Sequence, residues 1–123
     1  MQKILIIEDE ADLREALRAT LITEGYAVRA SETSEIGLQL VLEDKPDLIL
    51  LDIMTRSMHG SLFVQRVRSL PAGQNDSKII VITNLDNDIS KNKFSAGDIS
   101  AYLVKAETSL DQIKAKVAEV LAG

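Results

Sequence analysis

The sequence predicts a doubly wound α/β fold, a five-stranded parallel sheet with five helices on its faces, from two observations. Short runs such as Leu48 to Leu51 are apolar at every position, which suits strands buried on both faces; a half-exposed strand would alternate. Between these runs the apolar residues are spaced as helical stripes, so strand and helix alternate five times. That order closes into a parallel sheet through right-handed crossovers.

The elements follow in order. Ile4 to Ile7 is a first strand that runs into Glu8, Asp9, Glu10 and Asp12. From Ala11 the residues Leu13, Ala16, Leu17 and Leu21 form a stripe, with Asp12 near the positive end of the helix dipole and Gly25 placed to stop the helix. Tyr26 to Ala30 is a second strand, and Ser31 to Ser34 offer caps for a helix that turns Ile36, Leu40 and Val41 inward up to about Glu43. Asp44-Lys45-Pro46 breaks it before the central strand, which stops on Asp52. A loop containing Gly60 follows, then a third helix with Leu62, Phe63, Val67 and Leu70 inward and Gln65, Arg66 and Arg68 as a solvated face. Pro71 to Ser77 is a loop, and Lys78 to Thr83 is another apolar strand, ending on a hydroxyl. Between Asp88 and Ser95 only Ile89 and Phe94 mark a helical stripe, so the fourth helix is expected to be marginal, with Gly97 ending it. Ala101 to Val104 is the last strand, ending on Lys105; Thr108 or Ser109 caps a final helix with Leu110, Ile113, Val117, Val120 and Leu121 inward.

A chain of 123 residues fits one domain, residues 1–123, with a single core. Its hydrophobic share of 46% and charged share of 27% are globular values. The net charge of −5 disfavours a general nucleic-acid surface. With no cysteine, disulfide and thiolate chemistry are excluded. No apolar run approaches the roughly 20 residues of a membrane span, and the N-terminal run is too short for a signal peptide, so the cytoplasm is the expected compartment.

In a parallel sheet every strand ends on the same rim, which brings Glu8, Asp9, Asp52, Thr83 and Lys105 together. Two carboxylates about 4 Å apart repel by roughly 4 kcal/mol at an effective dielectric of 20, so a group of three calls for a cation. All-oxygen ligands without histidine or cysteine favour a hard ion, Mg²⁺ before Zn²⁺. Lys105, Thr83 and the loop amides after Asp52 suit a tetrahedral oxyanion such as phosphate. A carboxylate can itself be the nucleophile in phosphoryl transfer, and Asp52 is the candidate acceptor. Glu10 and Asp12 read as helix N-terminal charges, and His59, alone in a loop, as a solvated residue.

These residues, five strand ends in order, make the whole chain resemble a response-regulator receiver domain of two-component phosphorelays. The resemblance implies a flavodoxin-like strand order 2-1-3-4-5, and Mg²⁺ on Asp9, Asp52 and the Met54 carbonyl, with Glu8 acting through water. It implies that Lys105 and Thr83 hold the phosphoryl oxygens. Thr83 and Tyr102 become switch residues that alter the face of the fourth helix, fifth strand and fifth helix; read from the residues alone, Tyr102 serves equally as packing. Implied partners are a histidine kinase or histidine phosphotransfer protein, a downstream protein on the switch face, and a phosphorylation-dependent second copy, with neither nucleic acid nor membrane bound directly. The chain ends directly after the fifth helix, so a stand-alone receiver is expected, a phosphoacceptor domain and not an enzyme acting on a separate substrate. Met54, two residues past the acceptor, is bulky, which in this family implies slow autodephosphorylation.

Three positions depart from the family pattern: Arg56 stands where proline is common, His59 where acids or asparagine are frequent, and Ala106 where a cis proline usually follows the lysine. A cis bond to alanine would cost about 3 kcal/mol or more. Ala106 and Arg56 motivate an alternative, a receiver-like adaptor that binds a partner without phosphorylation. An aspartate-nucleophile phosphatase of the haloacid dehalogenase kind would need a second Asp where Met54 stands, and no phosphate-binding glycine loop supports a nucleotide enzyme.

Overall fold

The structure, a computed structural model, describes residues 1–53, 59–84, 94 and 97–123. Five parallel strands form one sheet: β1 (Lys3–Ile7), β2 (Ala27–Ser31), β3 (Leu48–Asp52), β4 (Lys78–Thr83) and β5 (Ala101–Val104), in the order β2-β1-β3-β4-β5. The central strand, β3, is buried at every position, as its unbroken apolar run requires.

Side chains alternate between two cores. Ile4 and Ile6 of β1, with Leu48 and Leu50 of β3, pack on Leu17 and Leu21 of α1 (Ala11–Thr23) and on Ile113 and Val117 of the C-terminal helix (Leu110–Ala122). Leu5, Ile7, Ile49 and Leu51 face the other way, onto Leu40 and Val41 of α2 (Ser34–Asp44) and Phe63, Val64 and Val67 of α3 (Gly60–Arg68). Helices therefore cover both faces, which is the doubly wound arrangement.

The helix ends follow local chemistry. Thr33 caps α2 by accepting from the Ile36 amide at 3.2 Å, and Lys45 ends that helix with a left-handed φ of 50°. Ser109, not Thr108, caps the C-terminal helix in a reciprocal capping box with Gln112. Gly60 opens α3 pressed against Ile53, the residue after β3: a Cβ there would lie 2.8 Å from the Ile53 Cα, and the Gly60 amide donates to the Ile53 carbonyl at 2.9 Å.

Several local expectations are corrected. Ile36, expected inward, is 48% exposed, because the helical turn that buries Gly37, Leu40 and Val41 against the sheet points position 36 outward. Leu62 and Leu110 are likewise exposed, at 41% and 37%, each in the first turn of its helix. Arg68 is no solvated side chain. Its half-buried guanidinium donates to the carbonyls of Asn75 and Ser77, each at 2.8 Å, and twice to that of Asp98 at 2.6 and 3.2 Å. His59 is half-buried and caps α3, its Nδ1 accepting from the Ser61 amide at 3.1 Å. Four α-helices stand among the described residues; the expected fourth helix over Asp88 to Ser95 falls almost wholly outside them.

Candidate functional site

Asp52 is the last residue of β3 and is 4% exposed. Its position follows from the sheet order: β3 lies between β1 and β4, so the ends of both flanking strands stand beside it. From β1 come Glu8, 1% exposed, and Asp9, half-buried. One carboxylate oxygen from each of Glu8, Asp9 and Asp52 lies within 4.8 Å of the others. From the far side Lys105, which follows β5, extends its ammonium between two of them. Its Nζ donates to Glu8 Oε1 at 2.5 Å and to Asp52 Oδ2 at 3.0 Å.

The electrostatics set the demand of the site. Burial pushes the Glu8 carboxyl up to about 8; the adjoining Asp52 carboxylate adds to this and Lys105 opposes it. Burial pulls the Lys105 ammonium down, but its bonds to Glu8 and Asp52 outweigh that and hold it above its ordinary value. Once Glu8 gives up its proton, three carboxylates against one ammonium would leave two negative charges, which one divalent cation would cancel. Glu8 Oε2 is buried with no hydrogen-bond partner among the described residues, a group that a cation or its water would satisfy. Two Mg–O bonds of about 2.1 Å span about 4.2 Å, so modest side-chain movement would bring these oxygens onto one ion. The residues present fit Mg²⁺.

Thr83 ends β4 fully buried, its strand neighbour on β5 being Val104, the residue before Lys105. Tyr102 is half-buried on β5, its ring edge-on to Phe94 with centroids 6.4 Å apart. The Lys105–Ala106 bond is trans. Lys105 opens a short 3₁₀ turn (Lys105–Glu107), closed by the Thr108 hydroxyl donating to the Val104 carbonyl at 2.8 Å. Met54 and Arg56 lie outside the described residues. Sequence reasoning passed over Arg14, whose guanidinium donates to the Glu8 carbonyl at 2.9 Å. Only its place one turn after the acid pair could have pointed to it.

A parallel α/β sheet that gathers three carboxylates and a lysine on its C-terminal rim defines the class: an acidic cluster suited to a hard divalent cation. The chain belongs to the response regulator receiver domain family, which it matches over residues 4–118. It is 35% identical over 89 residues to the transcriptional regulatory protein AfsQ1 of Streptomyces coelicolor, a match covering 72% of this chain and 38% of that protein. It is 31% identical over 122 residues to a probable transcriptional regulator, ycf27, of Guillardia theta, covering 98% of this chain and 45% of the relative. The chain thus spans less than half the length of these curated relatives. Among solved structures it is similar to the response regulator TrrA of Thermotoga maritima in complex with Mg²⁺-BeF, at a TM-score of 0.82 and 29% identity, covering 98% of this chain and 99% of that one. A CheY-like receiver domain protein of Methanospirillum hungatei shares the fold, with a TM-score of 0.89, 24% identity, and 99% and 94% of the two chains covered. Receiver domains of two-component systems bind Mg²⁺ at an acidic cluster and are phosphorylated by histidine kinases; this chain carries such a cluster. No helix among the described residues is long and apolar enough to cross a membrane.

Proposed function

We propose that residues 1–123 act as one phosphoacceptor domain in which Asp52 takes a phosphoryl group from a histidine kinase or histidine phosphotransfer protein. The observation that carries this reading is the meeting of Glu8, Asp9 and Asp52 within 4.8 Å, with Lys105 bonded to the acceptor. An Asp52 carboxylate oxygen attacks the phosphorus of the donor's phosphohistidine. The P–N bond breaks, and its electron pair leaves with the imidazole nitrogen. Lys105, already beside Asp52, pairs with a phosphoryl oxygen as negative charge gathers there, and the Thr83 hydroxyl donates to another. Bound Mg²⁺, held by Asp9, Asp52 and the Met54 carbonyl with Glu8 through water, would supply charge neutralisation.

The readout in this proposal is a turn of Thr83 toward the phosphoryl group with Tyr102 moving inward, which alters the face formed with β5 and the C-terminal helix. A downstream protein or a phosphorylated second copy would bind there. The bulk of Met54 supports slow autodephosphorylation, and the net charge of −5 supports a domain without nucleic-acid contacts of its own. Intact mass after incubation with Mg²⁺ and acetyl phosphate tests the central step. One phosphoryl group is expected on the wild type and none on Asp52→Asn or in EDTA. A folded, Mg²⁺-binding wild type that gains no mass would shift the reading to an unphosphorylated adaptor.

A further inference from the structure

We propose that Arg14 is a positioning residue for the Glu8–Asp9 acid pair, an inference that rests on the metal-site reading above. Glu8 is held at both backbone ends. Its amide donates to the Ser31 carbonyl at the end of β2 at 3.0 Å, and its carbonyl accepts from Arg14 Nη1 at 2.9 Å. That carbonyl belongs to the planar peptide unit that links Glu8 to Asp9, so its direction sets how both Cα–Cβ bonds point. The bond to β2 fixes only the entry to this unit. Arg14 fixes the unit itself.

The surrounding structure leaves that task to Arg14. Glu10, at the N-cap of α1, makes no side-chain capping bond, so the turn between the acids and the helix lacks the usual side-chain lock. Arg14 sits one turn into α1, its amide donating to the Glu10 carbonyl at 2.9 Å, and its half-buried side chain reaches back over that turn to the strand end. The helix and the acid pair are thereby tied as one body. With the guanidinium gone, the Glu8–Asp9 peptide can rotate and carry the two carboxylates apart. Arg14 touches neither ion nor phosphoryl group; it acts through the backbone between two ligands.

Calorimetric Mg²⁺ titration of the wild type, Arg14→Met and Arg14→Lys tests this, with melting temperatures taken in EDTA. Thr33→Ala, which removes the α2 cap remote from the acids, serves as the control for general destabilisation. Arg14→Met is expected to weaken Mg²⁺ binding by about tenfold, the lower end for loss of an outer-shell partner. Arg14→Lys, with its charge but without the planar guanidinium fork, should fall between Met and wild type, and Thr33→Ala should bind as the wild type does. Equal Mg²⁺ affinity for Arg14→Met and wild type, or a loss matched by Thr33→Ala, would overturn the inference. If Arg14→Met fails to fold, wild-type affinity in Arg14→Lys would overturn it. A wild type that binds no Mg²⁺ would remove the metal site itself, and this role with it.

Discussion

At Glu8 a carboxyl group is buried with one oxygen on Lys105 and the other without a partner among the described residues, and its pKa is raised to about 8 from 4.5. In the metal-free protein the unfolded chain therefore gives up this proton first as pH rises. The stability contributed by Glu8 is complete below about pH 4.5 and is lost as pH climbs through about 8. Melting temperatures in EDTA should fall over that window in the wild type and fall less in Glu8→Gln; identical pH profiles would contradict this. Mg²⁺ binding must displace the same proton, so it should tighten with pH across the same range. The sequence marked the identity and order of these acids, since each ends an apolar run. It could not mark the Lys105 bridge, because which of three carboxylates a lysine reaches depends on distances across the sheet.

Among the elements, α3 bears most on how the rim and the opposite edge are held. Its first residue, Gly60, bonds back to Ile53 beside Asp52, and Arg68, its last, gathers carbonyls from the loop before β4 and from Asp98 ahead of β5. Bonds from a charged donor contribute about 1.5–3 kcal/mol each, and truncation leaves acceptors stranded. Arg68→Ala should therefore lower stability by about 2–3 kcal/mol in urea unfolding, Arg68→Lys should recover only part, and the exposed Arg66→Ala should be nearly neutral. Equal effects at 66 and 68 would contradict the clamp. In the sequence these two arginines look alike, both on the polar side of one helix. They differ through segments brought there by folding. Ile36 fails the same way: its apolar side chain suggested the core, but Gly37 is what α2 presses onto Ile7, so the rotation of the helix leaves position 36 outside. His59 read as a bare loop residue because a histidine cap carries no pattern like the Ser and Thr caps, which were legible.

Across the whole molecule, the five-strand parallel sheet was readable because β1, β3 and β4 are apolar at nearly every position, a pattern that only a sheet covered on both faces demands. The edge strands β2 and β5 are only partly buried and were placed by alternation, with β2 one residue later than its apolar run suggested. Strand order came from the family resemblance, since continuous apolar runs do not say which strand is the neighbour. Once that order is fixed, Asp52 must lie between the acid pair and Thr83. The fold thus sets the Asp52 carboxylate beside two others and a lysine, and the most direct test of the proposed phosphoryl transfer asks which residue takes the phosphoryl group. Borohydride reduces an acyl phosphate to an alcohol, so trapping after acetyl phosphate and Mg²⁺, followed by peptide sequencing by mass, reads the position. The account predicts homoserine at position 52 alone, and only with Mg²⁺ present. Homoserine at another position, or trapping that persists in EDTA, would contradict it.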